Sequence, residues 1–276
     1  MPFFYKERKM IHLRSLQVKN LDNSPKSYPF NLPLIQELPG ITFTAPVTFF
    51  VGENGSGKST LIETIAAAVG SIVVGSENIQ QDITIKPAKH LANYLQLVWN
   101  KRTHKGFFLR AEDFFGYAKK MGQIRAEMQA DLEEVQNQTR NRSLLAQNLA
   151  KTPFQRELNE MKQGKTDSLH HISHGESFLH LFQTRFVPDG LYLLDEPEAP
   201  LSPLRQLTLL TLIKQMVAEN AQFIIATHSP ILMAFPEAEI LNFDEIPIRS
   251  IAFDDLQHVE IMRGFLNNPK AYLNHL

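Results

Sequence analysis

The chain has 276 residues and is 43% hydrophobic, enough to bury the core of one large α/β domain or of a domain carrying an insertion. A net charge of −1 and a pI near 6.8 supply no overall basic field for nucleic acid or an anionic membrane. With no cysteine, disulfides, thiolate metal sites and a cysteine nucleophile are excluded.

The opening MPFFYKERKM is charged and lacks the apolar stretch of a secretory signal. No run reaches the ~18 apolar residues of a membrane helix, so a cytoplasmic protein is expected. IHLRSLQVKN then alternates as a strand, and the proline-rich SYPFNLPLIQELPG reads as a loop with a short turn of structure. Val47–Val51 is a short apolar run of the kind that forms a buried parallel strand.

That run leads into GENGSGKST, Gly52 to Thr60, which matches G-x-x-x-x-G-K-[ST] in the context the motif needs. Gly52, Glu53, Asn54, Gly55, Ser56 and Gly57 should turn the backbone so that its N–H groups form a nest for phosphate oxygens. Lys58 would reach the terminal phosphates, Ser59 would ligate Mg²⁺, and Thr60 follows in the first turn. The helix LIETIAAAV presents its N-terminus to the same charge.

Further along, GFFLRAEDFF offers a second strand. Between about residues 116 and 166 the pattern turns helical: Met121, Ile124, Met128, Leu132 and Val135 share one face, and a second helix is interrupted at Pro153. A basic surplus here reads first as a solvated helical face. The histidines at 170, 171, 174 and 180 do not have the spacing of a zinc site, since adjacent rings do not converge on one ion.

ISHGESF, residues 172 to 178, raises the question of a serine nucleophile at Ser177. A nucleophile elbow requires G-x-S-x-G after a strand, and here both the second glycine and the strand are missing. The helical spacing of SFLHLFQTRF instead places Ser173 and Gly175 at a helix N-terminus, where a hydroxyl and free N–H groups make an anion site.

Two more apolar runs end in chemistry. Leu191–Leu194 leads to DEPE, where Asp195 is suited to hold Mg²⁺ and Glu196 to deprotonate an attacking water. Phe223–Ala226 leads to THSP, where His228 would contact a terminal phosphate. Three such strands followed by helical periodicity describe a doubly wound α/β sheet with its functional residues on one edge.

Taken together these residues resemble the ATP-binding-cassette (ABC) ATPases. GENGSGKST stands as Walker A, ISHGE as the signature, LYLLDE as Walker B and His228 as the switch histidine, in the family's order. GLYLLDEPEAPLSP and QFIIATHSPILM look like the soluble AAA-family or ABC-like ATPases of bacteria, relatives of SMC, RecF and OLD-type heads. The resemblance implies a P-loop NTPase fold: one ABC ATPase-like domain with core 1–115 and 167–276 and a helical insertion about 116–166. It implies ATP and Mg²⁺ as ligands, catalysis by Glu196, His228 and Lys58, and a head-to-tail homodimer. Ser173, Gly175 and Glu176 of one subunit would cap the nucleotide held by Walker A of the other.

Two positions stay open in that resemblance: the Q-loop residue that helps hold the metal is Glu112 or Gln96, and the adenine-stacking aromatic is Tyr28 or Phe30. His174 stands where the family prefers glycine, and Ser202 where transporters carry aspartate. The leading expectation is a soluble ATPase acting on a partner protein or nucleic acid. A transporter subunit is the alternative, and a P-loop kinase, which needs no signature, comes third.

Overall fold

A computed structural model describes residues 10–19, 21–38, 40–74, 85–112 and 174–274, with 127, 130–132, 134–140 and 152 between them. In chain order the elements are β1 (Leu13–Val18), α1 (Pro33–Gln36), β2 (Ile41–Thr42), β3 (Val47–Val51), α2 (Lys58–Val69), α3 (Lys86–Ala92), β4 (Leu95–Trp99) and β5 (Phe108–Arg110). They continue with α4 (His174–Arg185), β6 (Leu191–Asp195), α5 (Pro203–Ala218), β7 (Gln222–Ala226), α6 (Pro230–Met233), β8 (Glu239–Asn242), β9 (Arg249–Ser250), α7 (Gln257–Asn267) and α8 (Pro269–Leu273). The helical residues 130–132 and 134–139 fall in the expected insertion, most of which lies outside the described residues.

A six-stranded sheet in the order β5-β6-β7-β3-β8-β9 forms the centre. Its first five strands are parallel and β9 closes the edge antiparallel. The expected α/β architecture is therefore present, with all three apolar runs in the sheet. Each central strand is buried on both faces, and its alternate residues enter different cores. Val47, Phe49, Val51, Tyr192, Leu194, Phe223 and Ile225 face α4, α5 and α6. Phe50, Leu191, Leu193, Ile224 and Ala226 face α2 and the N-terminal layer.

That N-terminal layer is a second, antiparallel sheet in the order β2-β1-β4. Gln222, fully buried at the start of β7, ties the two sheets together. Its Oε1 accepts the Leu13 N–H at 2.8 Å and its Nε2 donates to the Leu13 carbonyl at 3.0 Å. The buried His12 ring bridges Asn220 O at 2.8 Å and Lys101 O at 3.2 Å. Gly106 enters β5 at φ +112°, and a Cβ there would lie 1.9 Å from the Leu191 carbonyl oxygen. Only glycine allows this approach. Among the described residues, no helix is long and apolar enough to cross a membrane.

Candidate functional site

The carboxyl ends of β3, β6 and β7 lie side by side, with Asp195 opposite Ala226 and Ala226 opposite Phe50. The polar residues after each strand therefore share one sheet edge, where open α/β sheets bind ligands. The loop after β3 turns through Gly52 (φ +147°), Gly55 (φ +87°) and Gly57 (φ +96°), and α2 begins at Lys58. Lys58 folds back over this loop, donating to Gly52 O at 2.7 Å and Glu53 O at 2.9 Å. Burial pushes the Lys58 ammonium below its ordinary range, opposed by the negative charges of Asp244, Glu196, Asp195 and Glu53.

Ser59 in the first turn of α2 donates to Asp195 Oδ1 at 3.2 Å. Asp195 is buried, and burial pushes its carboxyl up to about 7; the Ser59 hydrogen bond works against this, while Glu196 and Glu63 add to it. A hydroxyl and a buried carboxylate form an all-oxygen donor set, which suits a hard divalent cation and would be relieved by one. The residues present thus fit the magnesium that the sequence implies.

Glu196 takes a left-handed backbone conformation (φ +50°), which costs a non-glycine residue about 1–2 kcal/mol. Its N–H donates to Ala226 O at 2.9 Å, pinning the turn to the end of β7. Its carboxylate lies 3.8 Å from His228 Nε2, and both side chains are partly exposed. A cleft of about 320 Å³ is lined by Tyr28, Leu32, Asn54, Gly55, Gly57, Lys58, Ser59, Thr60 and Glu196. Among the described residues, no part of α4 lines it.

The open positions separate. Tyr28 is exposed on the cleft and its hydroxyl lies 2.9 Å from Thr60 Oγ1. Phe30 is buried, its ring near-perpendicular to those of His90 and Tyr94. Gln96 lies in β4 of the antiparallel sheet, beside a different cleft with Lys19, His90 and Tyr94. Glu112 follows β5 on the site edge. Its carboxylate is exposed and pairs with Arg110 at 3.4 Å. Gly175 and Glu176 lie in the first turn of α4, which begins at His174; Ser173 lies outside the described residues.

Three contributors escape a motif reading. Asp244, after β8, accepts the Glu53 N–H at Oδ1 and closes the phosphate loop from the far side. Arg110, buried at the end of β5 opposite Asp195, pairs with Glu63 at 3.3 Å. Glu198 accepts the His228 N–H at 2.7 Å. Burial pushes the Glu198 carboxyl up, opposed by the hydrogen bond it accepts from the His228 N–H. Glu198 lies in the DEPE segment that follows β6, which was the available signal; Asp244 and Arg110 lie in no such motif.

Residues 27–201 match a family described as an AAA domain. Over 219 residues the chain is 27% identical to a Methanosarcina acetivorans protein whose name assigns it to the ATP-binding proteins of ABC transporters, covering 76% of this chain and 72% of that protein. Among solved structures it is similar to an SMC head domain from Thermotoga maritima (15% identity, TM-score 0.40, covering 84% of this chain and 95% of that one). It is also similar to cbiO1 from Clostridium perfringens, part of an ABC transporter complex (18% identity, TM-score 0.43, covering 96% and 100%).

Proposed function

Because the chain belongs to the AAA domain family, in keeping with its resemblance to ABC-type ATPases, we propose that it binds ATP with magnesium and hydrolyses it. The active form is a head-to-tail dimer in which each subunit caps the nucleotide of the other. The observation that carries this reading is the convergence on one sheet edge of a glycine-turned loop, a buried aspartate bonded to Ser59, and Glu196 beside His228.

In this reading the loop from Gly52 to Gly57 cradles the phosphates, and Lys58 exchanges its two carbonyl partners for phosphate oxygens. Ser59 and Asp195 would hold magnesium, which supplies charge neutralisation along the phosphates. Glu196 takes the proton of a water as its oxygen bonds to the γ-phosphorus, and the bond to the bridging oxygen breaks to release ADP. His228 orients the transferred phosphoryl group. Tyr28, which lines the cleft, would stack on the base. Ser173, Gly175 and Glu176 supply the cap in trans. The partner that the cycle acts on is a protein or nucleic acid.

Glu196→Gln should keep ATP affinity, lose about 10²–10⁴-fold in turnover, and accumulate a dimer in Mg-ATP by size-exclusion chromatography. Hydrolysis by Glu196→Gln at the wild-type rate would remove Glu196 as the base. Lys58→Ala serves as the control that loses nucleotide affinity.

A further inference from the structure

Glu198 has no part in the roles given above, yet it joins the two loops that carry Glu196 and His228. It sits in the tight turn after β6, where Ala199 N–H donates to Glu196 O at 3.1 Å and Leu201 N–H to Glu198 O at 2.8 Å. From that turn its Oε1 reaches across to accept the backbone N–H of His228 at 2.7 Å. Its Oε2 is buried without a hydrogen-bond partner, a costly placement for a carboxylate oxygen. Buried polar atoms left in that state need a reason in the structure.

The loop after β7 is fastened on both sides of His228. Thr227 N–H donates to Phe50 O at 3.2 Å, and Ser229 N–H to Thr227 Oγ1 at 3.0 Å. Ser229 Oγ lies 2.6 Å from Gln206 Oε1 and donates to it. Residue 228 itself is fixed through its N–H by Glu198. A charge-assisted bond of this kind is short and directional, so it sets where the imidazole leaves the backbone. That imidazole lies 3.8 Å from Glu196.

We infer that Glu198 is a positioning residue for hydrolysis, acting through His228: it locks the loop after β7 to the loop after β6 and so sets the geometry between the histidine and Glu196. The inference rests on the ATPase reading above. It assigns Glu198 no contact with the nucleotide, so its loss should act on turnover and leave binding in place.

The test measures kcat and KM for Mg-ATP in the full chain for wild type, Glu198→Ala, Glu198→Gln, His228→Ala and the His228→Ala/Glu198→Ala double variant. Glu198→Ala should lower kcat about 10- to 100-fold, the scale of a small misplacement of a reacting group, with KM within about threefold of wild type. Glu198→Gln keeps an acceptor oxygen and should recover most of that loss. On the His228→Ala background Glu198→Ala should cost no more, because the two act as one unit. If Glu198→Ala does not fold, Glu198→Leu, close in volume and unable to accept a hydrogen bond, takes its place. Wild-type kcat in the Ala or Leu variant, a full second loss on the His228→Ala background, or wild-type kcat in His228→Ala would each overturn the inference while leaving ATP hydrolysis itself standing. Absence of phosphate release from the wild type would remove the ATPase reading, and this inference with it.

Discussion

Asp195 is held at a cost that a cation would remove. Burial raises its folded pKa to about 7 from an ordinary value of 3.8. A raised acid makes the folded state bind more protons than the unfolded one, so its contribution is most favourable at low pH and is lost as pH rises from about 4 to 7. Asn keeps an acceptor for Ser59 without the charge. In metal-free buffer, Asp195→Asn should therefore be more stable than wild type at pH 8, by on the order of a few kcal/mol. The difference should shrink toward pH 4 while magnesium-dependent turnover is lost. Urea melts in chelator across that range check it; a variant less stable than wild type at pH 8 would contradict the account. Asp195 and Ser59 were legible because a strand followed by acids and a glycine loop before a helix are local patterns. Asp244 was not, because a lone aspartate some 190 residues beyond the loop it closes carries no local pattern.

At the level of elements, the sheet was readable where strands are buried on both faces. Val47–Val51, Leu191–Leu194 and Phe223–Ala226 are continuous apolar runs, and all three lie in the central sheet. β4 was not read, since LQLVW pairs with β1 far away in sequence and its register is set by that partner. Phe30 shows a similar limit: its aromatic character is visible in the sequence, but the His90 and Tyr94 rings that enclose it are not. The join between the two sheets depends on Gln222, a polar residue in a strand that otherwise reads as apolar. Gln222→Leu would leave the Leu13 N–H and carbonyl buried without partners. At about 1–3 kcal/mol for each such group, the loss of stability should be about 2–6 kcal/mol, seen as a lower urea midpoint with an unchanged slope. A midpoint equal to wild type would show that the clamp does not hold the sheets together.

For the whole molecule, the cleft lined by Lys58, Ser59 and Glu196 is where one subunit would grip a nucleotide, and α4 begins at His174 with the signature residues Gly175 and Glu176 in its first turn. In the dimer proposed above, a head-to-tail arrangement would bring the cap from a second copy and give two equivalent sites per dimer. The most direct measurement is complementation. Ser173→Arg subunits keep Walker A but lose the cap, and Lys58→Ala subunits keep the cap but lose Walker A. Each should be inactive alone. Mixed in equal amounts they should recover about a quarter of the wild-type phosphate release, since half the dimers are mixed and each has one intact site. Dimers that form on mixing yet release no phosphate would contradict sites shared between subunits.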